Sequence, residues 1–205
     1  PELLATIFGD AVSGLKPMRF VETSFRGGSV TVATTGYTGE PGGEIFVPNE
    51  AALDLCKALM EAGADLGCRP IGLGARDTLR LEKGFCLYGN DIDETTTPWD
   101  AGLGWVVRMA KGDFIGREAL ATQKEAGVTR RLCAFKMDER GVPRHGYAVR
   151  TEYGEGVVTS GTMSPILGVG IAMAYVPIDV PEGAVVEVEI HRSWRKGTVV
   201  ALPFV

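Results

Sequence analysis

Residues 36 to 44, GYTGEPGGE, gather Gly36, Gly39, Gly42 and Gly43 around two carboxylates, Glu40 and Glu44. Glycines at this density let the backbone take positive φ and approach a ligand closely. Glu44 stands where the loop re-enters a strand, so its carboxylate is placed to accept two parallel hydrogen bonds, one from a ring N–H and one from an exocyclic NH₂. A plain hairpin turn with solvated acids is the competing reading of this loop taken alone. Residues 72 to 84, GLGARDTLRLEKG, carry Arg76, Arg80 and Lys83 at helical spacing, which puts them on one face as a donor set for an anion. Here the competing reading is a solvated helix face paired locally with Asp77 and Glu82. Tyr37, Tyr88 and Trp105 add flat surfaces that serve either a core or a heterocycle. Taken together, these residues point to one site for a flat, amide-edged, anionic ligand, with the kind of edge a pterin presents.

Other chemistries are not supported by the sequence. The only histidines, His145 and His191, fall in no metal-ligand spacing and near no GxSxG turn. GLGARD opens like a dinucleotide loop but lacks the third glycine, and no phosphate loop of the GxxxxGK[ST] type is present. Cys56, Cys68, Cys86 and Cys133 form no CxxC pair, so four buried free thiols in a reducing compartment are expected. A net charge of −5 opposes non-specific binding to nucleic acid or an anionic membrane surface. No apolar run approaches the roughly 20 residues of a bilayer-spanning helix. With 45% hydrophobic and 23% charged residues over 205 positions, the chain is expected to be globular, with one or two domains.

The elements that hold the candidate residues follow from periodicity. The first residues read as a helix. SVTVAT at 29 to 34 alternates in period two, and Glu44 to Val47 resumes as a strand, so the pair forms a hairpin carrying the glycine loop. Pro48 ends that strand, Asn49 is placed to cap a helix through Leu59, and Gly63 closes it. A second helix is expected over Leu73 to Lys83 with Gly84 beyond its end, and a third over Phe114 to Ala126, capped by Asp113 and closed by Gly127. After that the pattern is strands alone: 131 to 137, 147 to 152, 157 to 161, 169 to 176, 185 to 192 and 198 to 202. Val186, Val188 and Ile190 alternate with Glu187, Glu189 and His191, the sign of a sheet with one wet face. Six short strands at this spacing predict a small closed or sandwich-like β-domain.

The segments GYTGEPGGEIFVP, GLGARDTLRLEKGFCLYGNDIDETTTP, GLGWVV, DFIGREAL and VTSGTMSP together resemble the T-protein of the glycine cleavage system, the tetrahydrofolate-dependent aminomethyltransferase. The resemblance runs from about residue 15 to the C-terminus. It implies a transferase of one-carbon metabolism and glycine catabolism, in which an aminomethyl group on the lipoyl arm of the H-protein passes to tetrahydrofolate with release of ammonia, without a metal or redox cofactor. It implies an α+β fold: a partial ferredoxin-like folate-binding domain over residues 1–110, a connecting helix at 111–127 and a small antiparallel β-barrel domain over 128–205. By motif, Glu44 matches the family's pterin-binding glutamate and Arg76 the arginine that borders the folate. Trp105 matches an aromatic of the pocket, and Arg131 a basic residue near the p-aminobenzoyl-glutamate end. Tyr37, Arg80 and Tyr88 are further pocket candidates. A bacterial cytoplasmic setting is implied, or the mitochondrial matrix in a eukaryote.

Two departures from the family pattern matter. Relatives carry a larger apolar residue where this chain has Gly43, which implies a looser loop before Glu44. Relatives also carry roughly another 150 residues, about the size of one more domain, before the point matching Pro1. That segment holds the family's catalytic aspartate, so the chain is expected to be a C-terminal portion with no catalytic residue of its own, inactive alone, and able to self-associate through an uncovered apolar face. One alternative is the folate-binding part of a dimethylglycine or sarcosine dehydrogenase-like demethylase. Another is the related non-enzymatic iron–sulfur assembly factor, marked by KGCYxGQE where this chain has KGFCLYGND.

Overall fold

The structure is a computed structural model that describes residues 2–205. It divides into two compact units, Pro1–Leu79 and Arg80–Val205. No helix among the described residues is long and apolar enough to cross a membrane.

The first unit contains helix α1 (Glu2–Phe8), strands β1 (Phe20–Phe25), β2 (Gly28–Ala33) and β3 (Glu44–Phe46), helix α2 (Asn49–Ala62) and the start of α3 (Leu73–Glu82). The strands form one antiparallel sheet in the order β1-β2-β3, with Val32 opposite Val21 on one side and Ile45 on the other. Period-two alternation sends Val21, Phe25, Val30, Val32 and Ile45 to the face that packs on Phe8 and Leu55. Each such side chain contributes about 1.5–3 kcal/mol when fully buried. The register puts Phe20, Thr31, Glu44 and Phe46 on the opposite face, where Phe20 and Phe46 stay 68% and 60% exposed.

Helix boundaries show which local signals prevail. α2 begins at Asn49 with Pro48 as its N-cap, so Asn49 is inside the first turn and makes no cap bond. Proline fits because the first-turn N–H groups need no partner within the helix. Gly63 ends α2 at φ −91, an ordinary value. What requires glycine there is Cys68, whose Cβ would lie 2.4 Å from a Cβ on Gly63. α3 closes with Gly84 at φ 73, Gly84 N–H donating to Leu81 O at 2.8 Å and Phe85 N–H to Arg80 O at 2.9 Å, the Schellman pattern. α4 runs only over Arg117–Ala126, three residues shorter than expected, because Gly116 at φ 88 takes the N-cap position in place of Asp113.

The second unit ends in a closed barrel of β4 (Arg130–Met137), β5 (Ala148–Thr151), β6 (Gly154–Met163), β7 (Gly170–Pro177), β8 (Val185–Ile190) and β9 (Ser193–Val200), ordered β4-β7-β6-β5-β8-β9. Every pairing is antiparallel. Closure leaves no edge open to another chain. Phe135, Val149, Val158, Ala174, Val186 and Val188 fill the interior. On the outer wall Leu81, at the end of α3, packs with Ala134, Ile171, Met173 and Phe204.

Beside that cluster lies a buried ion pair. Arg80 is 1% exposed and Asp91 fully buried, with Nη1 and Oδ2 2.7 Å apart. The guanidinium also donates to Phe85 O at 2.9 Å and Ser160 Oγ at 2.7 Å. Asp91 accepts further bonds from Leu87 N–H, Ser160 Oγ and Thr159 Oγ1 at 2.8, 2.8 and 2.5 Å. Neighbouring residues of a regular strand point to opposite faces, yet Thr159 and Ser160 both reach Asp91. The shift in β6–β7 register between Val158 and Ser160 makes this possible, since a bulge re-aims the side chain it carries. Removing one member of a buried pair strands the other charge, at a cost of about 3–5 kcal/mol. Asp91→Leu and Arg80→Met are each expected to lower unfolding stability by that amount in urea titrations. The double variant is expected to lose clearly less than the sum, and strict additivity would show that the pair is not coupled.

Candidate functional site

The glycine loop is held at both ends. Ala33 and Glu44 are ladder partners, so Glu44 leaves the sheet at a fixed point. Thr35, just past β2, donates its hydroxyl to Glu44 Oε2 at 2.5 Å. This orients an otherwise exposed carboxylate while Oε1 and the remaining lone pairs stay available. Within the loop Gly39 takes φ 73, and Glu40 N–H lies 3.4 Å from Thr38 Oγ1.

Gly43 does not loosen this arrangement. A Cβ there would stand 2.7 Å from Ala33 O and 2.8 Å from Leu4 Cδ1, so the missing side chain lets the strand pack against β2 and α1. The expectation of a looser loop is corrected on that geometry.

Arg76 projects from α3 over the ring of Tyr37, with its guanidinium carbon 4.4 Å from the ring centroid. This cation–π contact ties the glycine loop to the second motif within the first unit. The two segments singled out for chemistry therefore do meet. The expected stripe of three cations does not form: one turn after Arg76, Arg80 is buried on Asp91 and Ser160. Its guanidinium organises the protein interior and is not displayed to a ligand, which corrects its reading as a pocket residue. Burial wins here because a helix end packed on a barrel wall removes its inward residues from water whatever their charge.

In the second unit, Trp105 lies on a 3₁₀ turn, Gly104–Val106, with 72% of its surface exposed, and Tyr88 is 71% exposed. The indole that is held in place is Trp99, which donates to Leu120 O at 2.9 Å and packs so closely on Gly104 that a Cβ there would fall 2.7 Å from its ring. Arg131 lies on β4 and donates to the Val180 carbonyl.

Residues that sequence reasoning passed over complete the buried network. Tyr175 donates its hydroxyl to Asp91 O at 2.9 Å, and burial pushes that phenol up to about 12. Asn90 and His145 both contact Thr159 O, at 3.3 and 2.8 Å. A polar pair, Thr159–Ser160, inside an apolar strand pattern is the one trace these contacts leave in the sequence. Of the four cysteines only Cys133 is buried, while Cys56 is exposed, so the expectation of four buried thiols is corrected. Burial and the Asp91 carboxylate push the Cys86 thiol up to about 11, against the opposing pull of Arg80.

Comparison with known proteins sets this geometry in context. The family model described as GCVT N-terminal domain matches residues 1–111, and that of the glycine cleavage T-protein C-terminal barrel domain matches residues 130–205. The chain belongs to the glycine cleavage T-protein family. It is 48% identical to an aminomethyltransferase of Halothermothrix orenii over the whole chain and 58% of that relative's length. It is 51% identical to an aminomethyltransferase of Bacteroides thetaiotaomicron, over 86% of this chain and 50% of that one. A crystal structure of glycine cleavage system aminomethyltransferase T from Bartonella henselae superposes on all of it at a TM-score of 0.89 and 36% identity, using 56% of that chain. The chain thus spans about half the length of these relatives, 50% to 58%.

A thiol held near 11 remains protonated at neutral pH, which makes Cys86 a slow nucleophile. Iodoacetamide at pH 8 should label exposed Cys56 first. Cys86 and Cys133, both raised to about 11, should react slowly and gain about tenfold per pH unit until that range is reached. Peptide mass mapping that finds Cys86 labelled as fast as Cys56 at pH 8 would contradict the assigned environment.

Proposed function

We propose that these residues form the pterin-facing wall of a tetrahydrofolate site in an aminomethyltransferase, and that Glu44 and Arg76 are its principal members. The observation that carries the reading is the Arg76–Tyr37 contact, which joins the loop ending in Glu44 to α3 inside one compact unit. Glu44 accepts the ring N–H and exocyclic NH₂ of the pterin, and the Thr35 hydroxyl keeps its carboxylate in the orientation this needs. Arg76, stacked on Tyr37, borders the folate and supplies positive charge without a long search among rotamers. By the same family resemblance, Trp105 and Arg131 are proposed as folate-binding residues contributed by the second unit. The proposed division into residues 1–110, 111–127 and 128–205 assigns the folate wall to the first segment and the barrel to the last.

In the reaction proposed for the whole protein, an aminomethyl group leaves the lipoyl sulfur of the H-protein for tetrahydrofolate, giving methylenetetrahydrofolate and ammonia in glycine catabolism. No residue of this chain is assigned the proton-handling role, and the 205 residues alone are not expected to complete the transfer. The demethylase and assembly-factor readings are not favoured: the relatives matched over the whole chain carry the name aminomethyltransferase. A cytoplasmic setting follows from the bacterial sources of those relatives as part of the same proposal.

Glu44→Ala should weaken tetrahydrofolate binding by about 1 to 3 kcal/mol, the range for losing a charged hydrogen-bond partner, with Glu44→Gln falling between it and the parent. Calorimetric titration of a protein that includes this chain measures it, and an unchanged affinity in Glu44→Ala would remove Glu44 from the site.

A further inference from the structure

One end of the barrel concentrates positive charge in an otherwise acidic chain. An open groove of about 610 Å³ there is lined by Arg140, Arg144, His191 and Arg195, and no carboxylate is among its lining residues. That volume suits a small organic ligand. Two acids next to Arg140 in the chain make bonds outside the groove lining: Glu139 accepts Lys196 N–H at 2.9 Å and Asp138 accepts the Thr198 hydroxyl at 2.8 Å. Elsewhere on the surface, Arg26 and Arg150 each sit 2.6 or 2.7 Å from a carboxylate. Among the described residues Arg140 and Arg195 have no such partner, and Arg144 has only the Gly161 carbonyl at 3.4 Å.

The groove is built by close backbone approaches. A Cβ on Gly141 would lie 2.7 Å from Ile190 Cδ1, and one on Gly170 would lie 2.4 Å from Gly141 O. A Cβ on Gly161 would meet Pro143 O at 2.5 Å. These three glycines let the segment that carries Arg140 and Arg144 fold down onto the barrel end, beside the β8–β9 hairpin. That hairpin turns in two residues, since Ile190 pairs with Ser193, and both turn residues have positive φ, His191 at 52 and Arg192 at 63. Such a turn ordinarily takes Asn-Gly. Here it carries two nitrogen-rich side chains in a conformation they disfavour, and such strain gathers at functional positions. The remaining wall is apolar, with Tyr147 and Met163 facing the groove.

We propose that this barrel end is a second binding site, separate from the folate wall, for a small molecule that carries two or more phosphate groups on a flat apolar body. Guanidinium forks match phosphate oxygens two at a time, and the apolar wall receives the body. ADP serves as the probe for the complete ligand class and inorganic pyrophosphate as the probe for the charges alone, both followed by calorimetric titration at low salt. ADP is expected to saturate one site, with pyrophosphate weaker and both losing affinity as salt rises. Arg140→Glu with Arg195→Glu should weaken ADP by about tenfold or more, the cost of reversing charges that touch an anion. Lys16→Glu with Lys57→Glu, the same change in net charge on the first unit, should leave it nearly unchanged. The proposal is overturned by any of three results: no saturable heat with ADP, equal loss in the two double variants, or equal affinity for ADP and pyrophosphate.

Discussion

Arg80 and Asp91 take two opposite charges out of water at 2.7 Å separation, and such a pair is tolerable only when its remaining donors and acceptors are satisfied. The structure supplies those partners from three places. Phe85 and Leu87 offer backbone groups from the segment after α3, Ser160 and Thr159 offer hydroxyls from β6, and Tyr175 on β7 holds the Asp91 backbone. The bulge in β6 exists at the point where both hydroxyls must face one carboxylate. The end of α3, the segment that follows it and the barrel wall therefore share one set of bonds, and none of the three can shift without stranding a charge.

The candidate folate wall uses a lighter version of the same device. Glu44 is exposed, so its position rests on the β2–β3 ladder, the Thr35 hydroxyl and the tight seat of Gly43 against β2 and α1. Arg76 gains its orientation from the Tyr37 ring. An exposed carboxylate with one oxygen already oriented costs little to complete with a ligand, since its rotamer is largely fixed before binding. That combination fits recognition of a planar amide edge and agrees with membership of the glycine cleavage T-protein family.

Much of this was legible in the sequence, for identifiable reasons. β8 alternates cleanly because one face meets the interior and the other meets water, whereas β7 is buried on both faces, so its existence followed from an apolar run between turn residues rather than from period two. The glycine loop and the GARD segment stood out by composition, and their contact through Tyr37 and Arg76 is a physical link between them. What sequence reading could not supply was burial. Arg76 and Arg80 are equivalent by spacing, yet one lies over a ring and the other is sealed beside Asp91. β1 carries little signal in the sequence because its mixed pattern, FVETSF, is shared by many loops. α4 starts at Arg117 and not at the expected Phe114 because Gly116 at positive φ outweighs the capping preference of Asp113.

The buried Arg80–Asp91 network is the central claim, and amide hydrogen exchange of the Asp91→Asn variant tests it most directly. If the network holds the end of α3 and the segment after it, Gly84, Phe85 and Leu87 should lose protection, while Val30 and Val32 in the β1–β2–β3 sheet keep theirs. Unchanged protection at Leu87 and Phe85, or an even loss across both units, would contradict the account.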